Sequence, residues 1–351
     1  MLRWVMSLVV TACLCAAWRG SPAAAAVPRT GVPAASAQLV ERQAADWIAS
    51  SCVAPGGALL VRPRGALISG YFGNLTAAGL VAARMHLDVA LGWMRWYVAN
   101  ARGSGSGVDG VPDDATIEPR GLLRSLGRPD STDAYGATFL SLTYAAYQIG
   151  DPAMRAFIAD HRGDLRRIAL SIVATQQPNG LTWSRPQHHI AYAIDNEQVY
   201  RGLLDGVKLM REAYHDAYMA NRLHAYAVAT HAGLWHTLWD PGTQTFRPYV
   251  GASGTGPQAD LSRAYPDALA QVLAIVYGVV DPSSPLASAL LARAAPALSD
   301  PNRGDVVEYR YAIAYAKRRM GSDVAGQLAF TDPPLCADAG WLLQVEALPP
   351  P

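Results

Sequence analysis

The stretch DSTDAYGATFLSL at residues 130–142 places Asp130 and Asp133 at the start of a long and mostly apolar predicted helix. The arrangement recurs downstream, where DNEQVY at residues 195–200 opens a helical run that continues to Tyr214. A helix that is apolar on nearly every side is buried in its protein. Carboxylates at the starts of such helices indicate either a site that handles protons or a set of helix caps.

Helical periodicity alternates with loops along the rest of the chain, and it predicts about twelve helices, including one at 323–330. Long loops precede every second helix and short loops follow it, which is the spacing of six helical hairpins. The even-numbered helices, such as residues 134–150 and 268–280, are apolar nearly all round. Strand signals are confined to residues 57–61 and a hairpin at 239–246. The pattern therefore predicts an all-α fold in which an outer ring of helices encloses an inner ring of six.

The composition also limits the partners of this chain. It is 51% hydrophobic and 16% charged, compared with about 25% charged residues in an average globular protein. Removal of residues 1–26 takes away Arg3 and Arg19 and leaves 27 basic residues against 28 acidic ones. The chain has no basic run, so nucleic acid is not an expected partner.

Residues 1–26 have the pattern of a secretory signal peptide, with Arg3 before a short apolar stretch and small residues at 24–26. A second interpretation stays open, because VTAC at residues 10–13 resembles a bacterial lipobox that would attach a lipid to Cys13. The apolar stretch is shorter than the roughly 20 residues that a membrane span needs. We therefore expect a secreted or periplasmic protein, with a membrane-anchored lipoprotein as the alternative.

The remaining chain divides into a Pro- and Ala-rich linker at residues 27–35 and one domain at residues 36–351. It retains Cys52 and Cys336, and two thiols in an oxidising compartment predict one disulfide. Closing so long a loop could contribute roughly 5 kcal/mol to stability. The alternative is a pair of unrelated buried thiols.

Three segments carry a resemblance to the six-hairpin glycosidases, whose fold is an (α/α)6 toroid. They are YFGNLTAAGL at 71–80, DSTDAYGATFL at 130–140, and GLTW at 180–183 together with DNE at 195–197. The resemblance is to a poorly characterised secreted branch of that superfamily, and it covers residues 36–347. It implies a toroid with its site in the funnel at the N-termini of the inner helices, but it implies no single substrate. Some uronyl hydrolases of the superfamily use an aspartate at the start of an inner helix, and Asp195 resembles that position.

Glycoside hydrolysis usually requires two carboxyl groups that flank the scissile bond. We predict Asp133 and Asp195 as this pair, because they begin neighbouring inner helices at the same end. Asp130, Glu197 and Asp267 are the alternative candidates for this pair. Whether the reaction retains or inverts the anomeric configuration stays open.

The competing interpretation is that these carboxylates only cap helices, as in a capping box formed by Asp195 and Gln198. Helix N-termini favour the ionised carboxylate, whereas a general acid must retain its proton. A catalytic role for Asp195 would therefore require burial or a nearby like charge.

A second group of residues is predicted to bind substrate at the funnel, because aromatic faces stack on sugar rings and polar tips bond to hydroxyls. Core packing is the alternative for each aromatic member. No metal-binding signature is present, so no metal and no cofactor are expected. The predicted binding residues are Tyr71, Asn74, Asp130, Tyr135, Trp183, His188, Asn196, Glu197, Asp267, Tyr309 and Trp341.

The sequence thus predicts a carbohydrate-active enzyme, a glycoside hydrolase that acts on an oligo- or polysaccharide. A polysaccharide lyase on the same fold is an alternative, with Tyr135, His188 and Arg185 available for elimination chemistry. A non-catalytic glycan-binding or cell-envelope protein is the third possibility, and a lipid on Cys13 would suit it.

Overall fold

Helices account for nearly all of the regular structure in this computed structural model. It describes residues 34–102, 105, 107–299, 307–324, 328–331 and 333–349. The predicted signal peptide, Cys13 and residues 27–33 of the predicted linker lie outside these ranges. The α-helices of the described residues are α1 (Ala34–Ser51), α2 (Gly70–Ala83), α3 (Leu87–Asn100), α4 (Asp133–Gln148), α5 (Pro152–Asp160), α6 (Arg162–Ser171), α7 (Ala193–Glu212), α8 (Ala217–Gly233), α9 (Leu269–Val276), α10 (Pro285–Leu298), α11 (Val307–Arg319) and α12 (Cys336–Ala347).

Six of these helices form a closed inner ring. The order round the ring is α2, α4, α7, α9, α11 and α12, each helix contacts the next, and α12 returns to contact α2. The middle of α4 is buried on all sides, as its nearly continuous apolar sequence requires. The predicted all-α toroid is therefore confirmed, and its inner helices are the ones that the sequence predicts.

The remaining helices pack outside the ring. α3 contacts α2, α6 contacts α4, α8 contacts α7, and α10 contacts α9. The helix predicted at 323–330 is wrong for the residues described there, since 322–324 and 328–331 are not helical. Phe330 is still packed against the outer ring, although it is not in a helix. Its ring lies edge-on to Trp47 of α1, with the ring centroids 5.9 Å apart. α1 itself covers the groove between α12 and α2.

Short strands join the loops at the rim of the ring. β4 pairs with β7, β5 pairs with β6 as the predicted hairpin, and β1, β2 and β3 form an antiparallel sheet that the sequence analysis missed. All of these pairings are antiparallel. The strands are β1 (Leu67–Ile68), β2 (Ala115–Ile117), β3 (Leu123–Ser125), β4 (Ile190–Tyr192), β5 (Trp239–Asp240), β6 (Thr245–Phe246) and β7 (Tyr249–Gly251).

A disulfide between Cys52 and Cys336 joins the two ends of the ring. Cys52 directly follows α1, and Cys336 is the first residue of α12. Both residues are fully buried, and their Cα atoms are 6.0 Å apart. The predicted bridge is therefore confirmed, and it ties the first outer helix to the last inner helix.

Glycines allow α2 and α12 to approach each other closely. A Cβ atom placed on Gly340 would lie 2.5 Å from the Leu75 carbonyl oxygen and 2.7 Å from the Thr76 Cα. The atoms it would meet belong to the backbone of α2, so they cannot rotate away. The closure of the ring depends on a residue without a side chain at this position.

We expect Gly340→Ala to lower the free energy of unfolding by about 1–3 kcal/mol, because overpacking forces the two helices apart. Gly163→Ala is the matched control, since no heavy atom lies within 4 Å of a Cβ built at that helical position. The control should be neutral or stabilising by up to about 1 kcal/mol. Urea denaturation of both variants measures the difference, and equal effects would contradict close packing at Gly340.

Candidate active site

A cavity of about 400 Å³ lies at the N-terminal ends of the neighbouring inner helices α4, α7 and α9. We call it the Asp195 cavity. Its wall combines carboxyl, guanidinium, imidazole and phenol groups within one concave space. The lining residues are Asp130, Ser131, Ser184, Arg185, His188, Tyr192, Ile194, Asp195, Tyr249, Arg263, Tyr265 and Pro266.

The loop segment 182–184 fixes the starts of α4 and α7 relative to each other. On the α7 side, the Asn196 Oδ1 accepts from the Thr182 backbone N–H at 2.8 Å, and its Nδ2 donates to the Thr182 carbonyl at 3.1 Å. On the α4 side, the Thr132 backbone N–H donates to the Ser184 carbonyl at 2.6 Å. Asn196 is fully buried in this role, so it supports the cavity wall from behind.

Asp133 is the first residue of α4 and is fully buried. Its Oδ1 accepts from the Ser131 hydroxyl at 2.5 Å and from the Ala134 N–H at 2.8 Å, and its Oδ2 accepts from the Thr182 hydroxyl at 2.6 Å. Burial raises the pKa of this carboxyl, although the hydrogen bonds favour the ionised form and oppose the rise. The side chain is a firmly held internal charge that does not line the cavity.

Asp195 is the third residue of α7, and its carboxyl lines the cavity. Burial raises its pKa well above the ordinary value for an aspartate, and the charges of Asp133 and Asp130 raise it further. A hydrogen bond from Ser131 opposes this rise. The carboxyl therefore keeps its proton at a pH at which an exposed aspartate has lost it.

Ser131 links the two carboxyl groups. Its hydroxyl donates to Asp133 and is also hydrogen-bonded to Asp195, so the structure places both aspartates at the same end of the ring and beside one oxygen atom. A hydroxyl carries one proton and two lone pairs. Its proton can go to only one carboxyl at a time, and the carboxyl that receives it is favoured in the ionised form, so donation from Ser131 lowers the pKa of Asp195.

The capping interpretation does not fit Asp195. The residue that precedes α7 is Tyr192, and no side chain caps the helix there. Gln198, the expected partner in a capping box, instead donates through Nε2 to the Tyr71 hydroxyl at 2.7 Å. Asp133 does accept from the N–H of Ala134, so part of its bonding is local to the start of its helix.

Positive and phenolic groups also line the cavity. His188 Nε2 lies 3.2 Å from the Tyr192 hydroxyl, and Tyr192 pairs across β4 and β7 with Tyr249. Arg185 Nε is buried and has no hydrogen-bond partner. Arg263 Nε lies 3.7 Å from the Asp267 carboxylate, which is an ion-pair distance and too long for a hydrogen bond.

Glu197 lies on α7 but not in the cavity wall. Its side chain is fully buried, and neither carboxyl oxygen has a hydrogen-bond partner. Burial raises its pKa well above the ordinary value, and the charge of Asp195 adds to this effect. Glu197 therefore keeps its proton to a higher pH than an exposed glutamate does.

Three predicted binding residues form a buried network next to the cavity. Asn74 donates to the Tyr135 carbonyl at 3.0 Å and to the Thr138 hydroxyl at 2.9 Å. The Tyr135 hydroxyl donates to Asp114 at 2.9 Å, and its ring stacks against Tyr71 at 6.5 Å. Asn74 and Tyr135 are buried and do not line the Asp195 cavity.

The other predicted binding residues lie apart from the cavity wall. Trp183 stacks on His189 at 3.9 Å and lines a neighbouring cavity of about 270 Å³. Trp341 lines a third cavity of about 280 Å³ along the axis of the ring. Tyr309 is buried in the core. Asp267 is buried too, and it accepts from the Asp260 N–H at 2.9 Å.

Asp130, His188 and Asp195 are predicted from the sequence to share one site, and the structure brings these three together in the cavity wall. Ser131, Tyr192, Tyr249 and Arg263 also line the cavity and are not among the predicted residues. Tyr192 and Ser131 stand within three residues of the predicted aspartates, which was the available signal. Tyr249 and Arg263 come from distant loops, and only the folded chain reveals their position.

The part of the chain that the structure describes contains neither a metal-binding cluster nor a helix that could span a membrane. Within that part of the chain, no group of three or more His, Cys, Asp and Glu side chains could hold a metal ion. No helix within the same ranges is both long enough and apolar enough to cross a bilayer.

Comparisons with known proteins identify solved structures of the same fold. No family model matches the chain, and no curated protein matches it in sequence. A glycosidase variant in complex with glucose has a TM-score of 0.63 at 14% identity, over 92% of this chain and all of that one.

Two further structures extend this result. A reducing-end-xylose releasing exo-oligoxylanase with xylobiose has a TM-score of 0.63 at 12% identity, over 91% of this chain and 94% of its own. A mannosylglycerate hydrolase from Thermus thermophilus, in complex with glucose, has a TM-score of 0.61 at 12% identity, over 88% and 99%. At these identities the comparisons establish a shared toroid fold.

Proposed function

We propose that this protein is a glycoside hydrolase that cleaves an oligo- or polysaccharide in the Asp195 cavity. The observation that carries the proposal is the Asp195 carboxyl, whose pKa is raised by burial and by two neighbouring aspartates while its side chain faces a cavity. A carboxyl that keeps its proton can protonate a leaving glycosidic oxygen. The cavity volume of about 400 Å³ is within the range of small-ligand sites.

The roles follow from which carboxyls can reach a substrate. Asp195 acts as the general acid. Asp130 is exposed and lines the same cavity, so it is the second carboxylate, which activates water or attacks the anomeric carbon. Asp133 was predicted to be catalytic, but its buried side chain lies behind Asp195. We therefore assign it a positioning role, in which its charge raises the pKa of Asp195 and its hydrogen bond from Ser131 fixes the hydroxyl that contacts both aspartates.

The structural comparisons support a carbohydrate substrate. The similar structures are described as glycosidases, and the bound molecules that their descriptions name are glucose and xylobiose. This chain shares their toroid and places its raised-pKa aspartate at the N-termini of inner helices. Water, a carbohydrate and two carboxyls are sufficient for the reaction.

A lyase on the same fold is the second candidate, because His188 and Arg185 line the same cavity. His188 could remove a proton from a uronic acid while Arg185 neutralises its carboxylate. Tyr135, also named for this role, is buried with its hydroxyl bonded to Asp114, so it does not contribute.

The deciding experiment is a panel of glycans incubated with the purified protein. New reducing ends without the ultraviolet absorbance of an unsaturated uronate support hydrolysis. Reducing ends together with that absorbance indicate a lyase and contradict our proposal. Glycan binding without either product would indicate a non-catalytic binding protein.

We also propose that the protein acts outside the cytoplasm. The disulfide between Cys52 and Cys336 is typical of proteins from oxidising compartments. Mass spectrometry of the mature protein should find an N-terminus at residue 27. A lipid on Cys13 would instead support the lipoprotein alternative.

Ser131→Ala tests the hydrogen bond between Ser131 and Asp195. The serine hydrogen bond lowers the pKa of Asp195, so its removal should raise that pKa. The basic limb of the kcat/KM profile should move to higher pH, because the general acid retains its proton for longer. Ser253→Ala, an exposed hydroxyl in a different loop, is the control. An unchanged basic limb would contradict the assigned role of Ser131.

A further inference from the structure

Arg185 contributes a guanidinium group to the wall of the Asp195 cavity. Its Nε is buried without a hydrogen-bond partner, and none of the ion pairs formed by described residues involves it. A buried N–H without a partner costs about 1–3 kcal/mol. Because the Nε itself is buried, a ligand in the cavity would meet this guanidinium through its terminal N–H groups. A guanidinium is also permanently charged, which makes an anionic ligand the natural partner.

The geometry of a guanidinium selects among anions. Its donors are arranged in a planar fork that matches the two oxygens of a carboxylate. The turn that carries Arg185 is held by a hydrogen bond from the His188 N–H to the Arg185 carbonyl at 3.0 Å. His188 lines the same cavity, so the turn presents both side chains to one bound molecule.

A second guanidinium enters from a different wall. Arg263 precedes α9, its side chain is 62% exposed, and its Nε approaches Asp267 only to 3.7 Å. Its donors therefore remain accessible from the cavity. Two arginines from separate loops bring two permanent positive charges to one cavity, which favours an anionic ligand over a neutral one.

We infer that the glycan bound in the Asp195 cavity carries a carboxylate, which Arg185 binds and Arg263 helps to bind. The substrate is therefore an acidic polysaccharide or oligosaccharide that contains uronic acid units. The inference rests on the proposed glycosidase activity and names its substrate class. The carboxyl of Asp195 and the carboxylate of the sugar have different partners. Asp195 donates its proton to the glycosidic oxygen, and the sugar carboxylate binds to the arginines.

The first test measures binding with matched sugars by titration calorimetry on the mature protein. Glucuronate and glucose differ only at C6, and galacturonate with galactose provides a second pair. At least one uronate should bind about ten- to a hundredfold more tightly than its neutral partner, which is the range of a charge-assisted hydrogen bond. Equal affinities within both pairs would overturn the inference.

The second test assigns the binding group. Arg185→Met should reduce the affinity for the uronate to that for the neutral sugar, and Arg185→Lys should restore part of it by keeping the charge without the fork. Arg42→Met, at an exposed position of α1, is the matched control and should leave both affinities unchanged. Thermal melting checks that each variant is folded. A uronate preference that survives Arg185→Met would overturn the role of Arg185.

Turnover separates this inference from the proposed function. Release of reducing ends from polygalacturonate or glucuronoxylan, but not from neutral glucans and xylans, supports both. Hydrolysis of neutral polymers without a preference for acidic ones overturns the inference and leaves the hydrolase intact. Tight uronate binding without hydrolysis of any polymer overturns the hydrolase and retains the acidic ligand.

Discussion

Asp195→Asn is expected to lower kcat by about 10²- to 10⁴-fold, which is the usual contribution of a positioned general acid. Asparagine has nearly the same shape, but it has no proton to give to the leaving oxygen. KM should change little, because the variant retains the cavity and the arginines that face it. Reducing-end assays on the glycan identified by the panel measure both constants.

The identity of the leaving group sharpens this test. An aryl glycoside with a very acidic phenol leaves without protonation, so Asp195→Asn should lose much less activity on it than on a natural glycan. Asp88→Asn is the control, because Asp88 is an exposed residue of α3 that does not line the Asp195 cavity. Full turnover of the natural glycan by Asp195→Asn would remove Asp195 from the mechanism.

The pH dependence has a definite sign. The pKa of Asp195 is raised in the folded protein, so the active, protonated form persists above the ordinary aspartate range and is lost as the pH rises through the raised pKa. Activity of the wild type should therefore fall on the alkaline side of the profile. The residual activity of Asp195→Asn should lack that limb, because asparagine does not titrate.

The inner ring could be predicted because a buried helix needs apolar residues on all its sides, and this pattern is visible in a short stretch of sequence. An inner helix packs against two neighbours in the ring and against outer helices, so it must be apolar on nearly every side, and residues 134–150 show this in the sequence alone. The outer segment at 323–330 could not be judged in the same way. It needs only to cover one groove, and Phe330 achieves this by packing on Trp47 without helical structure.

The candidate site was predictable only in part. Asp195 and Asp133 stand out because charge at the start of a buried helix is rare and costly. The aromatic residues were harder to place, because periodicity does not tell which side of an inner helix faces the axis. Tyr135 and Trp341 consequently prove to be buried outside the Asp195 cavity. Arg185 and Arg263 lie in irregular loops that are distant in sequence, and only the folded chain brings them to the same cavity.

Replacement of both Cys52 and Cys336 by alanine is expected to produce the largest loss of stability. The bridge spans 284 residues of sequence, and a loop of that length contributes about 5 kcal/mol by restricting the unfolded chain. For a domain of this size, that loss corresponds to a decrease in Tm of about 8 °C. Differential scanning calorimetry of the variant and the wild type measures it.

A reductant provides the control for this prediction. It should lower the Tm of the wild type towards that of the Cys52→Ala, Cys336→Ala variant and should leave the variant unchanged. Because the main effect is on the unfolded chain, the folded variant should keep its turnover at low temperature, unlike Asp195→Asn. If the Tm were equal with and without the bridge, closure of the ring would be held by the packing of α2 against α12 alone. In that case Gly340, and not the disulfide, would be the critical feature of the closure.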